Sequence, residues 1–513
     1  MVLNLNRNVE SRYFTVETID IDFGRLTVIM NENDARELGL NSNSRVKLIK
    51  GDRSISATVA LTKTVVERGK ILVSPDVAYL LKLSKVDELG IKPLPVISSL
   101  ITLHKRIRGE RLTQDETYRF VKDVVEGSLS EAEIATFLVS QMFYELSEDE
   151  LYNLIVAMVE TGSKISFEER VYDIHSIGGV PGNGKVALIS VPTIAAAGLL
   201  IPKTSSRAIT SAAGTADIME VLANVCFTAE ELKEIARKVR AALVWGGKLN
   251  LAPADDIFVN VERKLGIDPK HQMVASILAK KVAMSVDNLV IDIPVGKKIK
   301  VETINEADEL AGLFIRQAGR LGINIKVTVT YGGQPIGETI GPALEAYEAL
   351  KSMIDRTGRR SLIDKALHIA GLVLELSGKT GLGEGYILAR EIFTSGRTYE
   401  KFKQIIEAQG GDPNIKPEDI AIGKHSFTIY SPLEGAVTHI DNASVLMIAR
   451  AAGAPFDKGA GVRLHAKVGY RVNKGDPLIT IYSNSSSRLE EAVSIASNHP
   501  PVIVEGMILK ILP

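Results

Sequence analysis

His175-Ser176-Ile177-Gly178-Gly179-Val180-Pro181-Gly182-Asn183-Gly184-Lys185 and Ser205-Ser206-Arg207-Ala208-Ile209-Thr210-Ser211-Ala212-Ala213-Gly214-Thr215 are two loops rich in glycine and hydroxyls, about thirty residues apart. Each follows a short apolar, strand-like run. The first leads into a helical pattern over Ala187 to Leu199, the second into one over Asp217 to Leu222. Two strand–loop–helix units in succession place both loops at one end of a mostly parallel sheet. Backbone N–H groups at a helix start, approached closely past glycine, form an anion site. The hydroxyls of Ser205, Ser206, Thr210, Ser211 and Thr215 add donors, and Arg207 adds a guanidinium suited to phosphate. Either loop alone also reads as a turn with capping residues, Thr215 serving only the helix it begins. Two such loops together favour phosphate.

The 513 residues suffice for several domains, and a charged fraction of 24% with net charge −1 is ordinary for a globular chain. The charge gives no argument for nucleic acid or membrane as a partner. The single cysteine, Cys226, excludes an internal disulfide and any cysteine-cluster metal site. Met1 to Arg12 is polar without an apolar signal core, and no apolar run approaches membrane-spanning length, which predicts a cytoplasmic protein.

Working outward, a multidomain α/β architecture is expected. Residues 1–92 carry an internal repeat: Val28 to Asn31, a helix-like Asp34 to Leu38, Leu40 and a strand Arg45 to Ile49 are echoed by Ile71 to Ser74, Asp76 to Leu81, Leu83 and a short run at Val86. Such a duplication predicts a pseudo-twofold β-barrel similar to the double-psi barrels. Without a basic stripe, assembly is a better role for it than DNA binding. Lys92-Pro93-Leu94-Pro95 reads as a linker. Residues 93–163 read as a small bundle of three helices. Their starts at Thr113, Ser130 and Ser147 each carry a glutamate three residues on, the capping box, and Glu160-Thr161-Gly162-Ser163 ends the bundle as a hinge. Residues 164–412 form the α/β phosphate- and nucleotide-binding domain, with strands Leu289 to Ile293 and Ile323 to Val329 and helices Glu306 to Arg320 and Pro342 to Ile354. After a break at Gly410-Gly411-Asp412-Pro413, residues 413–513 form a mainly β, α+β domain. Its Val472 to Tyr482 resembles the turn and strand of biotinyl or lipoyl domains without a Met-Lys-Met attachment site, so it reads as shared architecture rather than a carrier.

A second constellation follows the loops. Leu251 to Asp256 reads as a turn and Ile257 to Arg263 as a strand; Asp268 then caps, and Pro269 opens, a helix through Val282. Asp268, Ser276 and Lys280 are spaced by multiples of four and share one helix face. Capping alone accounts for Asp268, and Lys280 with Lys281 also reads as a solvated face. Gly296 to Lys300 is a lysine-rich loop after an apolar strand, where charged loops gather around ligands in open α/β sheets.

These motifs resemble the thymidine and pyrimidine nucleoside phosphorylases. His175 to Val180, Ser205 to Arg207, Gly214 to Asp217, Leu251 to Asp255, Ala275 to Lys281, Gln334 to Gly337 with Gly341 to Glu345, and Gln409 to Asp412 occur in that family's order, over roughly Leu94 to Pro513. The N-terminal barrel and the form Ser205 to Ser211 point to its archaeal AMP phosphorylase branch. The resemblance implies a pentosyltransferase that converts a nucleoside 5′-monophosphate (AMP, with CMP and UMP as further candidates) and phosphate to free base and ribose 1,5-bisphosphate. It makes Asp268 the proton donor to the departing base. It puts Gly179, Ser206, Arg207, Ala208, Ile209, Thr210, Ser211, Thr215, Ser276 and Lys300 around nucleotide and phosphate. It implies no metal and no cofactor, phosphate being a co-substrate, and a homo-oligomer, dimer or larger, built through the N-terminal barrel. The chemistry agrees: an oxocarbenium-like state needs an acid at the leaving base and a positioned phosphate, the acid's pKa being raised by burial or by nearby negative charge.

Two departures stand out. The thymidine phosphorylases have lysine where this chain has Ile174, and Lys185 at the far end of the loop is the candidate replacement. The family's Leu-Asp-Lys is Ala216-Asp217-Ile218 here, removing another lysine. Both changes suit a substrate that brings its own phosphate. The alternatives are a pyrimidine nucleoside phosphorylase acting on unphosphorylated nucleosides, or an enzyme like anthranilate phosphoribosyltransferase, handling pyrophosphate with Mg²⁺ held by Asp255-Asp256. A non-enzymatic assembly or DNA-binding protein would leave the loop hydroxyls unexplained.

Overall fold

The computed structural model describes residues 11–84, 87–94, 98–208 and 211–506. The run expected at Val86, Pro95 of the expected linker, and the site candidates Ile209 and Thr210 lie outside the described residues. The chain divides into two compact units, Met1–Thr161 with Pro253–Gln272, and Gly162–Ala252 with Met273–Pro513.

The first unit opens with a closed barrel. Its strands are β1 (Arg12–Thr18), β2 (Thr27–Asn31), β3 (Arg45–Lys50), β4 (Arg53–Thr62), β5 (Lys70–Val73) and β6 (Glu88–Pro93), with α1 (Glu32–Glu37) after β2 and α2 (Pro75–Leu81) after β5. They close in the order β1-β5-β2-β4-β3-β6. Strand β1 is parallel to β5 and β2 to β4, while the remaining pairs are antiparallel. Exchanging β1, β2 and β3 for β4, β5 and β6 maps this pairing onto itself, which is the pseudo-twofold the repeat predicts. Phe14, Val28, Met30, Leu48, Ile71 and Leu89 fill the interior. The linker expectation is corrected here. Lys92 and Pro93 finish β6 opposite Lys47 and Val46, and Leu94 N–H donates to the Arg45 carbonyl at 3.1 Å. Proline is tolerated there because it ends the strand.

Four helices follow, one more than expected: α3 (Ser98–Ile107), α4 (Gln114–Val125), α5 (Glu131–Phe143) and α6 (Glu148–Glu160). All three capping boxes form, at Thr113/Glu116, Ser130/Glu133 and Ser147/Glu150; each N-cap contributes about 1 kcal/mol. The segment Pro253–Leu265 returns to this bundle as a helix, not as the strand expected at Ile257 to Arg263. Its buried residues Ala254, Phe258 and Val261 fall at helical spacing, and Phe258 stacks on Phe137 of α5, ring centroids 6.0 Å apart. Pro253 at the start and Asp255 and Asp256 in the first turn favour that helix.

In the second unit β7 (Val171–Ser176), α7 (Val186–Ala196), β8 (Ile201–Ser205), α8 (Thr215–Met219), α9 (Ala229–Val239) and β9 (Ala241–Trp245) precede α10, the helix Pro253–Leu265 of the first unit. Then come α11 (Lys270–Ala283), β10 (Val286–Val295), α12 (Ile304–Arg320), β11 (Asn324–Tyr331) and a short β12 (Thr339–Ile340). Helices α13 (Pro342–Asp355), α14 (Arg360–Leu376), α15 (Gly385–Thr394) and α16 (Arg397–Ala408) complete the α/β part. Strands β11, β10 and β7 form one parallel sheet and β8 and β9 another, joined by a parallel bridge between Val171 and Leu200. All five strands therefore deliver their following loops to one edge. Helix α7 is buried along Val186 to Ala195, as an all-apolar helix must be.

The C-terminal part has β13 (His425–Tyr430), β14 (Gly435–Ile440), α17 (Asn442–Ala451), β15 (Gly461–Leu464), β16 (Arg471–Val472), β17 (Pro477–Ser483), α18 (Ser486–Asn498) and β18 (Val502–Glu505). Two antiparallel sheets, β12-β15-β17-β13 and β16-β14-β18, enclose a core of Val437, Ile440, Ile448, Val462 and Ile481. Ala212, from the second glycine-rich loop, belongs to that core. Among the described residues no helix is long and apolar enough to cross a membrane.

Candidate active site

The first loop leaves β7 at Ser176. Its Oγ accepts from Gly178 N–H at 3.3 Å and from the Asn183 side-chain amide at 2.8 Å, closing the loop on itself. Gly182 has φ +77°, and a Cβ there would run into the Ile336 carbonyl. The Ile336 N–H donates in return to the Pro181 carbonyl at 2.9 Å. Lys185 is committed to the protein's own groups. It is fully buried, with Nζ on the Thr339 carbonyl at 2.5 Å and on Glu348 at 3.0 Å. The replacement suggested for the cation missing at Ile174 is therefore a strut beneath the loop. Ile174 itself is buried.

The second loop is organised by a carboxylate. Asp217, buried in the first turn of α8, accepts from Ala208 N–H at 2.7 Å and Gly214 N–H at 3.0 Å, and pairs with Arg207 at 3.1 Å. Gly214 lets the loop's two arms close: a Cβ there would stand 2.5 Å from the Ser206 carbonyl. Gly214, not Thr215, is the N-cap of α8. The Thr215 hydroxyl donates instead to the Gly184 carbonyl at 3.0 Å, tying the two loops together. Arg207 also bonds Glu220 at 2.7 Å and lies over the Trp245 ring, 5.0 Å from its centroid. Lys458 reaches the same carboxylates, Glu220 at 2.8 Å and Asp217 at 3.4 Å. The Arg207 bond, opposed by burial, holds the Glu220 carboxyl down to about 2, and Glu220 raises Arg207 in turn. The guanidinium expected to hold phosphate thus braces the loop. Ser211 donates to the Ala213 carbonyl at 3.2 Å, while Ser206 is exposed.

Behind the loops lies a charged cluster that sequence reasoning missed. Asp173 on β7 is buried and bonded by Lys281 Nζ at 2.6 Å, with Lys203 Nζ at 3.6 Å. Lys281, expected on a solvated face, is buried. His175, two residues beyond Asp173, has a buried Nδ1 without a hydrogen bond. Burial first, then Lys281, Lys203, Lys280 and Lys300, hold its imidazole well below the ordinary histidine range, so it is neutral near pH 7. The missed signal is a charge inside an apolar parallel strand, as in Val171-Tyr172-Asp173-Ile174 and Ile201-Pro202-Lys203-Thr204.

Lys300 stands beside the first loop: a Cβ on Gly179, which has φ +91°, would lie 3.1 Å from the Lys300 backbone nitrogen. Its ammonium lies 4.0 Å from the Met273 sulfur at the start of the second unit's part of α11. Ser276, half-buried, is one turn before Lys280 on that helix. Gly179, Ser206, Arg207, Ala208, Ser211, Thr215, Ser276 and Lys300 all lie in the second unit, on four segments. Asp268 is not among them. It belongs to the first unit, is exposed, and precedes by two residues the first residue of α11, Lys270, so it is also one position further out than expected.

The family models that match are "Glycosyl transferase family, helical bundle domain" over residues 102–162, "Glycosyl transferase family, a/b domain" over 168–399, and "Pyrimidine nucleoside phosphorylase C-terminal domain" over 436–500. An AMP phosphorylase of Hyperthermus butylicus is 52% identical over 97% of this chain and 99% of its own. One of Pyrococcus furiosus is 48% identical over 97% and 99%, and AMP phosphorylase 1 of Archaeoglobus fulgidus 47% identical over 97% and 98%. A solved anthranilate phosphoribosyltransferase from Thermus thermophilus covers 60% of this chain and 98% of its own, with a TM-score of 0.50 at 21% identity, a likeness of fold alone. On its near-full-length identity to these relatives, the chain belongs to the AMP phosphorylases, enzymes of the pyrimidine nucleoside phosphorylase family.

Proposed function

We propose that this chain cleaves AMP with inorganic phosphate, giving adenine and ribose 1,5-bisphosphate. The observation that carries the reading is the pair of anion loops at one sheet edge, cross-linked by Thr215 and Gly184. Phosphate is the nucleophile and no cofactor takes part. Gly179, the run Ser206 to Ser211, Thr215 and Ser276 hold nucleotide and phosphate, and Lys300 meets the 5′-phosphate. Asp268 delivers the proton to the departing base. The neutral imidazole of His175 supports that assignment, because a group without its proton at pH 7 makes a poor general acid. The reaction is placed in the cytoplasm.

Replacing Asp268 by Asn lowers turnover about 10²–10⁴-fold with folding and AMP binding retained, the loss expected for removing a general acid. Turnover at the wild-type level removes Asp268 from the mechanism. In the same assay adenine release requires phosphate and tolerates EDTA. Equal release without phosphate makes the enzyme a hydrolase, and faster cleavage of unphosphorylated nucleosides restores the nucleoside phosphorylase alternative.

We also read the symmetric barrel as of the double-psi kind and as the contact through which copies of the chain assemble. Its separate core supports this. Light scattering of a chain lacking residues 1–92 then gives a smaller assembly, and an unchanged oligomeric state removes the role.

A further inference from the structure

The buried lysines of the α/β region do not all have a carboxylate of their own. Lys365 pairs with Asp292 at 2.9 Å and Lys185 with Glu348 at 3.0 Å. Lys281 and Lys203, both almost fully buried, share Asp173. Lys203 Nζ also donates to the neighbouring Thr204 carbonyl at 2.6 Å. One carboxylate neutralises one ammonium, and a second buried beside it lacks a counter-charge. Among the described residues, the charged groups acting most strongly on neighbouring His175 are Lys281, Lys203, Lys280 and Lys300, all of them cations.

The place of the cluster says which anion completes it. Asp173 lies three residues before the end of β7, and Lys203 two residues before the end of β8. These strands feed the first and second glycine-rich loops, so at the rise of an extended chain Lys203 lies about 7 Å and Asp173 about 10 Å beneath the loops. Lys300 follows β10, on the opposite side of β7 from β8. Two cations therefore flank β7. Lys203 reaches from the strand that feeds the second loop to Asp173 on the strand that feeds the first.

We propose that Lys203 is a positioning residue for inorganic phosphate: the ammonium that Asp173 leaves unneutralised is the counter-charge of the phosphate held in the two loops. The inference rests on the phosphorylase reading above and names the residue that takes the place of the cation missing at Ile174. Without the anion, burial, opposed by Asp173 and reinforced by Lys281, holds the Lys203 amine down to about 7. An arriving dianion draws a proton onto it, so phosphate binding at about pH 8, where free phosphate is already the dianion and the amine is mostly neutral, takes up a proton.

Calorimetry with inorganic phosphate, run in two buffers of different ionisation enthalpy, reads this without turnover. The wild-type enzyme takes up a proton on binding phosphate at about pH 8. The variant Lys203→Met does not, and its Kd and KM for phosphate rise roughly 50-fold, the screened attraction of unit charges about 7 Å apart at an effective dielectric constant of 20. Saturated kcat and the KM for AMP change little. Lys203→Gln, which keeps the donor to Thr204, behaves like Lys203→Met and covers the case in which the latter does not fold. Unchanged phosphate affinity with a shift in Tm only, a rise confined to the KM for AMP, or no proton uptake by the wild type overturns the assignment. A wild-type enzyme that binds phosphate with proton uptake but releases no adenine overturns the AMP reading instead, leaving the phosphate site in place.

Discussion

The two glycine-rich loops look alike in sequence and are held by different physics. The first is shaped from the backbone outward. Glycines with positive φ let it lean on the carbonyls of the segment near Ile336, and Lys185 props it from below. The second is shaped from one side chain inward. Asp217 takes the N–H groups of both arms, and Arg207 and Lys458 complete its bonding. An anion loop can thus be pre-formed by removing side chains, at a cost in chain entropy, or by adding a buried acceptor, at a cost in desolvation. In the second loop the cation that phosphate recognition calls for is already committed to Asp217 and Glu220, which leaves backbone and hydroxyl donors for the ligand.

That contrast breaks most visibly at Asp217. Asp217→Ala leaves the Ala208 and Gly214 N–H groups without their acceptor, while Arg207 and Lys458 keep Glu220, and destabilises the protein by about 3–5 kcal/mol, at about 1–3 kcal/mol for each unsatisfied donor. Chemical denaturation measures it, and a loss within experimental error would show that the second loop does not depend on its carboxylate. Gly182→Ala tests the other mode. It places a Cβ against the Ile336 carbonyl at positive φ and lowers stability by about 2–3 kcal/mol. It also raises the KM for phosphate more than that for AMP, whereas an unaltered phosphate KM would mean the first loop carries no phosphate.

The smallest effect depends on pH and sharpens the comparison. Glu220 has a folded pKa held down to about 2 from its ordinary 4.5, so its contribution to stability is complete above pH 4.5 and is lost as pH falls towards 2. Glu220→Gln should lower stability at pH 7 by about 1 kcal/mol, a figure discounted because the carboxylate is partly exposed. The difference from wild type disappears at the acid end of the profile. A difference constant across that range would assign the effect to packing rather than charge.

Much of the fold was legible because its signals were local. Capping boxes at Thr113, Ser130 and Ser147, the duplicated strand–helix pattern of the barrel, the apolar run of β10 and the alternating pattern of β11 each declare themselves within a few residues. The helix over Pro253–Leu265 did not, because Ile257, Val259 and Val261 also fit strand alternation and its partner Phe137 is far away in the chain. The place of the two loops, each between a strand and a helix, was read correctly. What could not be read were the partners of their charges. Lys185, Arg207 and Lys281 look like interchangeable loop or surface cations in sequence, and only the fold assigns them to Glu348, Glu220 and Asp173.

Ala212 sets a timetable for this enzyme. Its core neighbours begin at Ile340 and are otherwise drawn from Val437 to Val502, so the second loop cannot settle while those strands are still inside the ribosome. At about 5–20 residues per second, the interval between the synthesis of Ala212 and that of its last partners is on the order of 10–60 s. The nascent chain begins that time with its barrel and capped helices already synthesised, gains the helix Pro253–Leu265 during it, and carries its second loop still without the C-terminal core. The second loop's packing against the C-terminal core is therefore completed only at the end of translation, as a consequence of one buried methyl group.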